Sequence, residues 1–241
     1  MTSAKKIEDL RVKLFVDGSG EADMLALNKL PYIKGFTTNP SLMREAGVSD
    51  YVAFAQKMVA AIPDKSISFE VFSDDFTDIE RQARIITTWG PNVYVKIPSM
   101  NTKGESTAPI VKKLSAEGIK LNITMIIRPE EVATAVEALS DKTPSIVSVF
   151  AGRAADAGFD PMPIMKESKG FTSKKPVIEL LWASTRELYS IYEAEEIGCE
   201  IITVPPSILK KIPGIGKDLK ELTLKGVNTF FEDGKAAGFA L

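Results

Sequence analysis

One ammonium group interrupts the apolar run Val93-Tyr94-Val95-Lys96-Ile97-Pro98. Runs of about four to eight β-branched and aromatic residues read as buried strands, where a charge is costly unless it is paired or titrates away. Lys96 therefore has two readings. Its stem could lie along apolar surface with the head in water, or its amine could be kept dry for chemistry. A lysine in a desolvated pocket sheds its proton more readily and attacks carbonyl carbon, forming a Schiff base. The iminium then serves as an electron sink for breaking the adjacent carbon–carbon bond, and no metal or other cofactor is called for. Such a reaction needs a base for a hydroxyl proton. It also needs a second acid/base group, acting through water, to form and hydrolyse the imine. The carboxylates Asp17 and Glu70 suit these two roles.

Composition removes the competing chemistries. The chain has 241 residues and no histidine, which excludes Ser-His-Asp and Cys-His nucleophile systems and the usual zinc sites. Its single cysteine, Cys199, forbids an internal disulfide or a multi-cysteine metal site and reads as a small residue entering a strand. Acidic and basic residues nearly balance, 32 against 30, so no cationic surface advertises nucleic acid or anionic lipid. Met1 to Arg11 is polar and lacks the apolar core of a signal peptide, and no apolar run is long enough to span a bilayer. A soluble cytoplasmic protein is expected.

The elements that must position these groups alternate. Strand-like runs are Lys13 to Asp17, Gly35 to Thr38, Ser66 to Phe72, Val93 to Ile97, Leu121 to Ile126, Ser145 to Phe150, Val177 to Trp182 and Glu200 to Val204. Helical periodicity fills the gaps: Glu21 to Lys29, Asp50 to Ile62, Asp78 to Trp89, Thr107 to Glu117, Pro129 to Leu139, Pro161 to Lys169, Thr185 to Ile197 and Ser207 to Ile212. Acidic and Pro-led starts, with Gly90, Gly118 and Gly198 as stops, mark several boundaries. Eight strand–helix units predict parallel strands closed into an α/β (β/α)8 TIM barrel, with a doubly wound open sheet as the other architecture. About 250 residues commonly make one such domain, so residues 1–241 read as a single barrel. Its tail, 213–241, carries an additional C-terminal helix (Asp218 to Phe231) that packs on the barrel or makes a homo-oligomer with a neighbouring subunit.

In such a barrel chemistry belongs at the C-terminal strand ends, and polar residues gather there. They are Asp17, Thr37-Thr38-Asn39, Glu70, Lys96, Asn122 with Thr124, Ser148 and Ser184. Each has a plainer reading. Asp17-Gly18 could make a turn, Asn39-Pro40-Ser41 could start a helix, Glu70 could face solvent, and Thr124 and Ser148 could satisfy local backbone. Polar groups from seven strands converging in a barrel interior need one another or a ligand.

In order along the chain, Gly35-Phe36-Thr37-Thr38-Asn39-Pro40-Ser41-Leu42-Met43, Val95-Lys96-Ile97-Pro98-Ser99, Asn122-Ile123-Thr124, Ser148-Val149-Phe150-Ala151-Gly152-Arg153 and Ala183-Ser184-Thr185-Arg186 resemble the transaldolase family. The resemblance runs from Asp17 to about Pro206, and it implies a class I aldolase-type barrel with Lys96 as the Schiff-base residue. By the same resemblance Asp17 is the base on the sugar hydroxyl, and Glu70 with Thr124 handles the catalytic water. Thr37, Asn39, Asn122, Ser148 and Phe150 would line the substrate, while Arg153, Arg186 and Ser184 would hold its phosphate. An arginine fork matches phosphate geometry independently of any resemblance. The substrates implied are sedoheptulose 7-phosphate or fructose 6-phosphate as donor, and erythrose 4-phosphate or glyceraldehyde 3-phosphate as acceptor, within the pentose phosphate pathway. The fructose-6-phosphate aldolase branch typically carries glutamine at the place of Glu70 and tyrosine at that of Phe150, so both positions favour transfer over simple cleavage. Gly18, Phe36 and the segment Ser99 to Gly104 depart from the family pattern, the last touching acceptor preference.

Two other functions compete. Ile208 to Lys217 resembles the hairpin of helix-hairpin-helix DNA-binding proteins, but the near-neutral charge and single copy argue against nucleic acid. A barrel that binds sugar phosphates without catalysis is opposed by the full set Lys96, Asp17 and Glu70.

Overall fold

The computed structural model describes residues 5–18 and 20–239. Its strands are β1 Lys13–Asp17, β2 Ile33–Thr37, β3 Ser66–Glu70, β4 Val93–Pro98, β5 Leu121–Ile126, β6 Ser145–Val149, β7 Ile178–Trp182 and β8 Ile201–Val204. All pair in parallel in sequence order, and β1 pairs with β8, closing a (β/α)8 TIM barrel. Helices α1 Glu21–Asn28, α2 Pro40–Glu45, α3 Tyr51–Ala61, α4 Phe76–Ile86, α5 Ala108–Ala116, α6 Pro129–Ala138, α7 Ala151–Asp156, α8 Pro161–Thr172, α9 Ser190–Glu196 and α10 Pro206–Leu209 follow the strands. A C-terminal helix, α11 Leu219–Ala236, completes the chain.

Side chains alternate between two environments with the strand period of two. The outward set, including Ile67, Val95, Ile123, Val147, Leu180 and Ile202, packs against the helices in one large core. The inward set changes character along the strands. Phe15, Ile146 and Ile201 fill the interior as an apolar cluster with Leu181, Ala183, Tyr94 and Phe150. Two residues further on, Phe15 is succeeded by Asp17, Ile146 by Ser148, Ile201 by Thr203 and Tyr94 by Lys96. Each buried large apolar side chain contributes about 1.5–3 kcal/mol, so the apolar plug is a firm floor for the polar layer above it. Gly35 makes room for it: a Cβ there would lie 2.5 Å from the Phe15 ring. At the opposite mouth Lys13 pairs with Glu179 at 2.5 Å.

Several boundaries differ from the sequence reading for local reasons. The fourth helix begins at Phe76 because Asp75, three residues before Asp78, accepts the Asp78 N–H at 2.9 Å. Helix α9 starts at Ser190 rather than Thr185, since Ser184 sits at φ 64° and turns the chain aside. Two short helices, α2 and α7, follow β2 and β6 directly; α2 starts at Asn39-Pro40-Ser41, as one reading of that segment allowed, whereas α7 was not anticipated. The stretch expected as a helix over Ser207 to Ile212 divides into α10 and one 3₁₀ turn, Ile212–Gly214, which holds the Pro-Gly pair of the hairpin-like motif. Asp218 caps α11 through the Lys220 and Glu221 N–H groups. None of the helix's residues is buried, and Leu222, Val227, Phe230 and Phe231 are exposed. Among the described residues no helix is long and apolar enough to cross a membrane.

Candidate active site

Register brings the reactive groups together. Glu70 on β3 stands beside Lys96 on β4, which stands beside Asn122 on β5. Lys96 is 5% exposed, so its head does not reach bulk water. Its Nζ lies 3.1 Å from Glu70 Oε2 and donates to the Thr38 carbonyl at 3.0 Å. An ammonium has three protons, and these two partners leave one for the pocket that Lys96 lines. Glu70 is 9% exposed and does not face solvent. Its backbone is pinned by Tyr51, whose hydroxyl accepts from Glu70 N–H at 3.0 Å and donates to Glu70 C=O at 3.3 Å. Burial pushes the Tyr51 phenol well above its ordinary range, keeping it neutral, and its ring packs edge-on against Phe69, Phe72 and Trp89.

Asp17 closes the other side of the pocket. Thr37 Oγ1 donates to its Oδ1 at 2.9 Å across the β1–β2 pair. Burial raises the Asp17 carboxyl above the usual carboxylate range; the Lys96 charge, the Thr37 hydrogen bond and the Arg186 charge only partly oppose this. A base with a raised pKa accepts a substrate proton more readily than an exposed carboxylate. Thr124 is fully buried, and its hydroxyl has no hydrogen-bond partner within the protein. It stands next to Met125, a non-glycine residue at φ 58°, where the β5–β6 register shifts. Such backbone is expensive and recurs at working sites.

The residues expected to hold a phosphate lie after β6 and β7. Arg153, on α7, lies over the Phe150 ring at 5.4 Å. Arg186 is already engaged: its Nε and Nη2 hold Asp156 at 2.6–3.0 Å, leaving Nη1 unused by that pair. The hydrogen bond from Arg186 holds the Asp156 carboxyl below its ordinary range. Ser184 keeps its unusual φ because Gly152 lies against it; a Cβ at Gly152 would sit 1.6 Å from the Ser184 carbonyl oxygen. Gly152→Ala is therefore expected to cost roughly 1–3 kcal/mol by forced overpacking, read as a lower urea midpoint.

Together these residues line a pocket of about 450 Å³. It includes Asp17, Thr37, Asn39, Glu70, Lys96, Thr124, Ser148, Phe150, Arg153, Ser184 and Arg186. Asn122 is the candidate that the pocket lining does not include. It is fully buried, donates to Ser68 at 3.0 Å and accepts from Ser148 at 2.7 Å, so it ties three strands together. Asn39 satisfies two readings at once, capping α2 through the Leu42 N–H and lining the pocket. Thr203, Met125 and Leu42 also line it and were not singled out from the sequence, although Thr203 follows Ile201 at the inward period of β8.

Residues 14–241 match the family Transaldolase/Fructose-6-phosphate aldolase. The chain belongs to this family. A "Probable transaldolase" of Dehalococcoides mccartyi is 30% identical over 231 residues, covering 93% of this chain and 99% of that relative. A "Probable transaldolase 2" of Listeria monocytogenes is 31% identical over 226 residues, covering 93% and 97%. A crystal structure of a candidate fructose-1,6-biphosphate aldolase from Coccidioides immitis shares the fold, with a TM-score of 0.54 at 11% identity over 85% of this chain and 79% of that one. In this chain β4 carries the pocket's lysine, α7 carries Arg153 and the segment after β7 carries Arg186.

Proposed function

We propose that this chain is a transaldolase, moving a dihydroxyacetone unit from fructose 6-phosphate or sedoheptulose 7-phosphate to erythrose 4-phosphate or glyceraldehyde 3-phosphate. The observation that carries the reading is the buried Lys96, held between Glu70 and Thr38 at the base of a pocket that also contains Asp17. Lys96, having passed a proton to Glu70, attacks the ketose C2 carbonyl, and loss of water gives an iminium. Asp17 takes the C4 hydroxyl proton, the C3–C4 bond breaks, and its electrons enter the iminium as an enamine. The aldose leaves. An acceptor aldehyde then receives the three-carbon unit and the proton from Asp17, and Glu70 with Thr124 places the water that frees Lys96. Arg153 and the free edge of Arg186, with Ser184, suit the distal phosphate.

The test supplies fructose 6-phosphate with and without erythrose 4-phosphate. Formation of sedoheptulose 7-phosphate only with the acceptor supports transfer. Free dihydroxyacetone as the main product would instead support the aldolase branch, and no turnover with either would leave a sugar-phosphate-binding barrel. The reading places the enzyme in pentose phosphate metabolism of the cytoplasm. Helix α11 bears on assembly: about 27 Å long at 1.5 Å per residue, it has no buried residue and leaves Leu222, Val227, Phe230 and Phe231 exposed, whereas helices in proteins draw most of their stability from packing an apolar face. We propose that a second copy of this chain covers it, which sedimentation mass checks directly.

A further inference from the structure

The Thr37 hydroxyl sits among three oxygens, two of them close. Its oxygen is 2.9 Å from Asp17 Oδ1, 2.6 Å from Thr203 Oγ1 and 3.5 Å from the Val16 carbonyl. A hydroxyl has one proton to give and two lone pairs to receive. A carboxylate can only accept, so an ionised Asp17 requires Thr37 to donate to it. The 2.6 Å contact must then be Thr203 donating to Thr37. Thr203 is itself held in place: it is 3% exposed, its strand pairs with β1 at Phe15, and its carbonyl accepts from Thr185 Oγ1 at 2.8 Å.

We propose that Thr203 and Thr37 are positioning residues for the base: a hydrogen-bond chain from β8 through β2 to β1, across the seam where the barrel closes, orients Asp17. It rests on the transaldolase reading. Thr37 then has no proton left for a substrate: its proton serves Asp17, Thr203 fills one lone pair, and only the second lone pair could accept from a substrate hydroxyl. Hydrogen bonds in series polarise one another, so Thr203 strengthens the bond that Thr37 gives to Asp17. The reacting proton stays on Asp17, and the two threonines only hold the carboxylate. The charged groups facing Asp17 are Lys96 from β4 and Arg186 from the loop after β7, and neither changes in the variants below.

The variants are Thr37→Val, Thr203→Val and Thr203→Ser, each isosteric or nearly so, with folding checked by circular dichroism. Thr37→Val is expected to lower kcat roughly tenfold with KM within about twofold, and to move the acid limb of kcat/KM to higher pH. Thr203→Val should shift both in the same direction by less, and Thr203→Ser should restore them. A second readout does not need turnover. The loss of Tm in Thr37→Val should grow as pH rises through the titration of Asp17, because the missing hydrogen bond supports the anion. A rise confined to KM would make Thr37 a substrate ligand and overturn the proposal. So would an unmoved acid limb, a Tm loss independent of pH, or a Thr203→Val protein that matches wild type. Wild type without any turnover would refute the transaldolase reading, while the pH-dependent Tm difference would still decide the orientation of Asp17.

Discussion

Replacing Lys96 by methionine is expected to reduce turnover to background and, at the same time, to lower stability by roughly 3 kcal/mol. The first effect follows from loss of the only amine among the described residues that line the pocket. The second follows from Glu70. Its carboxylate side chain is 11% exposed and pairs with Lys96 at 3.1 Å, so the methionine variant strands a charge in a dry site. Breaking a buried pair from one side costs far more than replacing the whole pair, because the surviving charge has lost its partner. Lys96→Met/Glu70→Gln should therefore recover most of the stability and none of the activity. Urea unfolding of the four proteins in this cycle checks it; a single Lys96→Met as stable as wild type would mean that the pair is solvated and the pocket is wet.

Asp17→Asn should separate activity from stability in the opposite sense. Turnover should fall on the order of 10²–10⁴-fold, the usual contribution of a positioned base. Stability near neutral pH should rise. Burial, the largest influence, raises the Asp17 carboxyl despite Lys96, Thr37 and Arg186, so the folded chain binds this proton more tightly than the unfolded chain does. The stability it contributes is complete below the unfolded value, about 3.9, and is lost as pH rises through the folded one. At neutral pH the fold carries an anion it would rather not bury, and asparagine removes it. The Tm of the variant should exceed that of wild type above this range and converge with it in acid. An Asp17→Asn protein less stable than wild type at neutral pH would contradict the burial argument.

The barrel was legible because its strands are apolar runs and its inward period turns polar toward the C-terminal ends. Lys96, Asp17 and Glu70 stood out on residue type and period alone. What escaped the sequence was set by partners distant along the chain. Ser184 turns the chain where Gly152 presses on it, so the expected helix start at Thr185 moved to Ser190. Arg186 is shared with Asp156, thirty residues earlier. Asn122 shares an inward face with Thr124 but lies one layer lower, where Ser68 and Ser148 satisfy it. Thr203 showed only as one threonine in a short strand, and its part emerges when β8 meets β1 and the Thr37 hydroxyl comes within 2.6 Å.

The central claim is that Lys96 carries the substrate covalently. Incubation with fructose 6-phosphate, reduction with borohydride and peptide mass spectrometry addresses it directly. The account predicts a reduced three-carbon adduct on Lys96, absent from Lys96→Met. No adduct, or one confined to a surface lysine, would contradict it and leave the strand lysine as a structural partner of Glu70.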